Sequence, residues 1–348
     1  GGTSGSANGA ASGRDARWQS AHPPDSRQVS ERSGRERRRA SLARPEHLRR
    51  RNLRRRRCTC CNPAGENTLG VTFASGGLPM TGSSTFMASS GDGYELQMGR
   101  WSRRLADPFL EFVGTATGEL VLDVGCGTGC LAFALMDRCQ AKQVHGMDFS
   151  AAYIEHAKRH NNDPRIVFQV GDACAIDFPD HSFDRVLSLL VLHFVPRADQ
   201  AIAEMRRVAR PGAVVGAAVW DARGGFVANR IFFDTAAALD SRANDRRARN
   251  YTRPMTRPGE LAKAWLATGF REVVEKALSI RMDFASFGDY WGPYAGKDGP
   301  GAEYIATLSD AERARLRDAV ERAYLDGEPD GPRSYAAVAW AVKGIAPG

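Results

Sequence analysis

No apolar run in this 348-residue chain approaches the ~18–20 residues that a membrane-spanning helix requires. The longest, Val186 to Val195, has the length of a strand and contains His193. A chain that crosses a bilayer through helices is therefore not expected. The seven cysteines lack the even count and regular spacing of a disulfide framework. Cys58, Cys60 and Cys61 stand near the N-terminus, and Cys126, Cys130, Cys139 and Cys174 are scattered through the body. A reducing, cytoplasmic setting is the expectation. No second Cys/His pair follows Cys58–Cys61 at ligand spacing, so no metal is expected. Internal repeats are absent. Lysine is missing from residues 1–86, where 16 arginines face 6 acidic residues. The remainder carries 32 basic and 34 acidic residues, so the net +8 belongs to the N-terminal segment alone. Nucleic-acid binding by the body has no support in its charge.

Residues 1–86 are rich in Gly, Ser, Pro and Arg, with few aliphatic residues. Such a segment buries too little apolar area to offset its ordering entropy, which predicts disorder. The dense basic run from Arg35 to Arg57 admits an RNA-binding arm, a tether to anionic membranes or a targeting peptide. No apolar segment follows it, so a secretory signal is not expected. The favoured reading is that translation starts at Met87, just ahead of the first patterned helix. The upstream stretch is then an over-extended gene boundary or an expression artefact.

From Tyr94 the pattern becomes regular. Tyr94 to Val113 reads as a helix interrupted by Pro108. Strands and helices then alternate. Strands are predicted at Glu119–Val124, Gln143–Asp148, Ile166–Val170, Asp184–Leu190 and Ala213–Trp220. Helices are predicted at Gly129–Arg138, from the Ser150 cap to about His160, and at Asp199–Ala209. Fully apolar strands between amphipathic helices imply an α/β fold with a parallel sheet covered on both faces. After Asp221 the rhythm breaks. Val227–Leu239 reads as a helix and Ser241–Arg257 as a polar, Arg-rich connection. A helix from Pro258 to Gly269, a strand at Val273–Asp283, a helix opened by the Ser309-x-x-Glu312 capping box and a last strand at Tyr335–Lys343 follow.

Three strand ends carry the chemistry. The first is Leu122-Asp123-Val124-Gly125-Cys126-Gly127-Thr128-Gly129, between a strand and a helix. Its glycines permit a sharp turn and close approach of a ligand to the backbone. The free N–H groups opening the helix suit a carboxylate or phosphate. A dinucleotide fingerprint needs glycine at 130, which is Cys, so a nicotinamide oxidoreductase is disfavoured. The second is Asp148, 19 residues after Gly129, where a carboxylate can accept both hydroxyls of a ribose. A plain helix-capping role is the alternative. The third is Gly171-Asp172-Ala173. Asp123, Asp148 and Asp172 lie 25 and 24 residues apart, one strand–helix unit each, so three carboxylates recur at one rim.

With these motifs the chain resembles the class I S-adenosylmethionine-dependent methyltransferases, in the small-molecule group akin to ubiquinone/menaquinone biosynthesis enzymes. The matching stretches are VLDVGCGTG (121–129), VHGMDFSAAYIEHAK (144–158), VGDACAIDFPDHSFDRVLSLLVLHFV (170–195) and EMRRVARPGA (204–213). In the last, Ala213 replaces the family's second glycine. The resemblance implies a Rossmann-like, doubly wound sheet of seven strands, the last antiparallel, with S-adenosylmethionine over the strand ends. Residues 87–348 would form the domain, with 87–220 the cofactor-binding core and 221–335 a helical, aromatic cap. Carried over, Gly125, Cys126, Gly127 and Gly129 form the turn around the methionine portion, and Asp123 anchors it near the amino group. Asp148 holds the ribose. Asp172 and Ala173 meet the adenine edge, with Met147 and Phe149 as apolar lining. Leu189 and Leu190 lie beside the methionine portion. Tyr94, Arg100 and Trp101 belong to the helix that caps the site, where Arg100 would pair with the methionine carboxylate.

Methyl transfer from a sulfonium expels a neutral leaving group, so the protein must chiefly align the reactants and exclude water. A base is needed only for a protonated nucleophile. His193 is the titratable candidate, ahead of His181; a structural histidine is the alternative for both. The aromatics of 221–335, among them Asp289-Tyr290-Trp291-Gly292-Pro293, predict a planar or hydrophobic small-molecule acceptor. No Asn-Pro-Pro-Tyr/Phe motif of base-methylating enzymes is present. An RNA-modifying methyltransferase using the Arg-rich arm and a non-catalytic S-adenosylmethionine-binding module are the alternatives. Oligomeric state has no signal in the sequence.

Overall fold

The computed structural model describes Thr85 and residues 90–348, all within the second of the chain's two units, residues 75–348. The expectations for residues 1–84, the cysteine cluster at 58–61 and the start at Met87 lie outside the described residues. The chain begins with α1 (Gly91–Tyr94), passes through a π-turn (Glu95–Gly99) and continues as α2 (Arg100–Val113). Pro108 does not interrupt α2, contrary to expectation. The carbonyl it deprives of an in-helix partner, four residues back, belongs to exposed Arg104.

Then follow β1 (Leu120–Val124), α3 (Cys130–Cys139), β2 (Gln143–Asp148), α4 (Ala151–His160), β3 (Ile166–Val170) and β4 (Phe183–Leu189). A 3-10 turn (Leu192–Phe194) leads to α5 (Ala198–Val208) and β5 (Ala209–Trp220). β5 starts four residues earlier than predicted. Its first pairing, Phe183 with Ala209, is separated from the regular ladder by a bulge that includes Gly212 at φ 83°. After β5 come α6 (Val227–Leu239), α7 (Ser241–Tyr251), α8 (Glu260–Thr268), β6 (Arg271–Phe284), α9 (Phe287–Trp291), α10 (Gly299–Ile305), α11 (Asp310–Leu325) and β7 (Arg333–Ile345).

Helix α7 replaces the connection expected at 241–257. Its buried residues are only Ala243 and Asn250, so it has no apolar stripe to announce it. Polar contacts with other elements hold it instead. The Asp240 side chain caps it, Arg242 pairs with Glu312 at 2.6 Å, and Arg246 pairs with Glu303.

The seven strands form one sheet in the order β3-β2-β1-β4-β5-β7-β6. β7 is antiparallel to both neighbours, and the other strands run parallel to one another. The chain winds outward from β1 through β2 to β3, then returns to lay β4 on the other side of β1. A crevice therefore opens at the carboxyl ends of β1 and β4. Helices α2 and α3 cover one face and α5 and α8 the other, each over its own apolar cluster. Among the described residues, no helix is long and apolar enough to cross a membrane.

Candidate functional site

The crevice is bounded by the β1–α3 turn. Gly125, Gly127 and Gly129 have φ of 75°, 55° and 94°, a region that side chains with a Cβ rarely enter. The Gly125 and Cys126 amides both donate to the Met147 carbonyl, at 2.7 and 2.9 Å. Asp148 closes β2 and reaches back to the same turn. Its Oδ2 accepts from the Gly127 amide at 3.0 Å and its Oδ1 from the Ser150 amide at 2.9 Å. Burial raises this carboxyl's pKa, and the two amides oppose that shift. A carboxylate offers about four acceptor positions. Two remain, the number a vicinal diol fills.

Asp123 is buried, and its oxygens make no close hydrogen bond, although the Ala132 amide lies near enough to favour the charged form. Burial pushes its carboxyl up to about 8, and the nearby Asp148 carboxylate adds to the shift. An arriving cation would relieve both effects.

The cleft over this rim has a volume of about 640 Å³, counting space open to solvent. Gly125, Gly127, Asp148, Phe149, Ala173 and Leu189 line it together, as does Met147. A larger cavity of about 970 Å³, counted the same way, is lined in part from α6, α7, α9 and α10. Trp101, His193, Trp220, Phe284 and Tyr290 are among its walls. Tyr94, Leu190 and Phe194 line both spaces, so the two adjoin. At that junction Leu190 has φ 66°, held by its amide's bond to the Ala218 carbonyl at 2.7 Å. Such a conformation in a residue with a Cβ marks a constrained site. Thr85 donates its amide and hydroxyl to the Phe194 carbonyl, at 2.9 and 3.1 Å.

Other expected residues stand apart from the cleft lining. Cys126 is packed in the core and Gly129 caps α3. Asp172 caps its own turn, accepting from the Cys174 amide at 2.8 Å. Arg100 pairs with Asp289 at 3.0 Å and stacks on Trp101, so its guanidinium is already engaged. His181 contacts the Ala209 carbonyl at 3.0 Å, in the loop before β4. His193 is buried at the larger cavity. Burial and then the Arg253 charge hold its imidazole well below the ordinary range, so it is neutral at pH 7.

Sequence reasoning missed Tyr153, Asn250 and Arg253. Tyr153 lies in the first turn of α4 and lines the cleft, its ring 5.2 Å from that of Tyr94. Its place three residues after the Ser150 cap was the available signal. Asn250 and Arg253 line the larger cavity from the end of α7 and just beyond it. No local pattern pointed to them.

Residues 122–216 match the family described as "Methyltransferase domain". A demethylmenaquinone methyltransferase of Renibacterium salmoninarum is 39% identical over 116 residues, 33% of this chain and 46% of the relative. A fatty-acid O-methyltransferase of Mycolicibacterium smegmatis is 38% identical over 95 residues, 27% of this chain and 35% of the relative. The chain thus spans less than half the length of these relatives. Among solved structures, Haemonchus contortus phosphoethanolamine N-methyltransferase 2 in complex with S-adenosyl-L-methionine is 18% identical, with a TM-score of 0.48. The match covers 74% of this chain and 57% of that one. The glycine turn, the carboxylate at the end of β2 and the family match coincide on one segment: this chain carries a methyltransferase domain of the class I, S-adenosylmethionine-dependent kind.

Proposed function

We propose that the protein transfers a methyl group from S-adenosylmethionine to a small, hydrophobic or aromatic acceptor bound under the cap. One observation carries this reading: Asp148 fixes the glycine turn and keeps two acceptor positions beside a cleft that adjoins an apolar cavity. The residues present suit the donor. Asp148 would hold the ribose hydroxyls, and the Asp123 carboxyl, buried behind the cleft lining, would give up its proton beside a nearby ammonium. Gly127 leaves room for close approach, since a Cβ there would meet nothing nearer than the Tyr94 ring at 4.0 Å. When bound, S-adenosylmethionine supplies a sulfonium-activated methyl group.

The chain's own part is placement and exclusion of water. Tyr94, Leu190 and Phe194 separate donor cleft from acceptor cavity, and the aromatic walls keep the transfer dry. Neutral His193 can take a proton from an acceptor that carries one. Named relatives include methyltransferases for demethylmenaquinone, fatty acid and erythromycin, which supports a small-molecule acceptor here.

The test has two stages. S-adenosylhomocysteine is titrated calorimetrically into the protein, and labelled methyl transfer to a metabolite extract is followed by mass spectrometry. Binding with a labelled product is the expected result. Absence of binding overturns the whole reading, and binding without transfer to any pool leaves only a binding module.

A further inference from the structure

The larger cavity is apolar over most of its wall, yet one corner is built from hydrogen-bond donors. Arg253 forms no ion pair among the described residues. Glu303, whose charge acts on Arg253, is already held by Arg246, which also bonds the Pro300 carbonyl at 3.2 Å. The Arg253 guanidinium lies over the Phe194 ring, 4.3 Å from its centroid, at the wall shared with the donor cleft. Its Nη2 donates to Asn250 Oδ1 at 3.2 Å. A guanidinium can only donate, so this bond fixes the amide orientation and turns the Asn250 Nδ2 donor elsewhere. Asn250 is 4% exposed, and that Nδ2 has no partner. The Trp220 Nε1 donor on the same cavity also lacks one. Burial, followed by repulsion from Arg246, pulls the Arg253 pKa down to about 10, with the Glu303 charge opposing in part.

Gln97 Oε1 and His193 Nδ1, on the same cavity, are unpartnered as well. At the Arg253 end, a half-buried cation and the free Asn250 donor ask for an acceptor-only group with negative charge. We propose that the acceptor molecule carries one anionic oxygen group, a carboxylate or an ionised phenol, held by Arg253 and Asn250 while its apolar body lies against the aromatic walls. This rests on the reading above that the cavity is the acceptor site. A cationic acceptor is disfavoured by the same corner, and a purely hydrocarbon one would leave Arg253 without an ion-pair partner.

The test uses the protein saturated with S-adenosylhomocysteine and three probes of one shape: 2-naphthoate, 2-naphthamide and 2-naphthol. Binding is read by calorimetry. One charge-assisted pair predicts that naphthoate binds at least about tenfold more tightly than the neutral amide. Arg253→Met should remove that preference, and Arg253→Lys should keep part of it. If naphthol instead is preferred, with proton release on binding, the anion is a phenolate. Equal affinity for naphthoate and naphthamide, with naphthol no tighter than either, overturns the proposal without touching the methyltransferase reading. So does a preference that survives in Arg253→Met, or failure of all three probes to bind at about millimolar concentration. Loss of S-adenosylhomocysteine binding itself would count against the parent reading instead.

Discussion

Asp148, the last residue of β2, accepts the Gly127 amide at 3.0 Å, so a carboxylate from one strand holds the glycine turn that follows its neighbour. Support of the turn and the proposed ribose contact are thereby joined in one side chain. Asp148→Ala should weaken S-adenosylhomocysteine binding by about 2 kcal/mol or more, because charge-assisted bonds are lost. Asp148→Asn should fall between the two. Calorimetry checks this, and unchanged affinity in the alanine variant would remove the assigned role.

Two glycines of the turn should separate folding from binding. A Cβ at position 125 would stand 2.4 Å from Val191 Cγ2. Gly125→Ala should therefore cost about 3 kcal/mol of stability, from overpacking and the left-handed backbone together. At position 127 the space is open, so Gly127→Ala should cost only about 1 kcal/mol. Its ligand affinity should nonetheless drop, because the methyl group enters the cleft. Denaturant melts and titrations of both variants decide the matter. Equal losses of stability would contradict the geometry.

Asp123 gives a pH signature. Its folded-state pKa of about 8 lies above the ordinary 3.8, so the native protein keeps a proton that the unfolded chain releases. Stability from this group is intact below about pH 3.8 and declines as pH rises towards 8. Asp123→Asn should flatten that decline in the ligand-free protein, measured as Tm across the range. Binding a ligand with an ammonium group near pH 7 should release a proton, seen by calorimetry in buffers of different ionisation enthalpy. Asp123→Asn should abolish that release.

His193 has the opposite sign. Its folded pKa is depressed below 6.5, so the unfolded state takes up a proton that the native state resists. Stability is lost as pH falls below about 6.5, and His193→Gln should soften that acid limb. The same variant should slow transfer to a protonated phenol by roughly 10²-fold or more, while transfer to a carboxylate acceptor stays near wild type. Equal slowing of both would point to a packing role.

The core of the fold was legible because its signals are local. Apolar strands one unit apart, the Ser150 cap and the Ser309–Glu312 capping box each lie within a few residues of what they determine. The glycine turn and Asp148 were legible for the same reason, their strands being consecutive neighbours. Arg100 was harder. Its residue type suited a carboxylate ligand, yet Asp289, 189 residues away in sequence, comes to hold it. No window on α2 contains that information.

Sequence alone determined the parallel half of the sheet, the position of the nucleoside-type turn and the carboxylate beside it. These follow from periodicity and from backbone conformations that glycine alone enters readily. The tertiary structure decided the larger cavity proposed for the acceptor. Helix α7 has no hydrophobic stripe; it packs on α6 through buried Ala243, and Glu312 and Glu303, from α11 and α10, pair with its arginines. That helix brings Asn250 to the His193 side of the cavity, and Arg253 follows from the turn after it. Charge pairing between distant segments leaves no period in the chain, so the cation under the cap became visible only once the cap was folded.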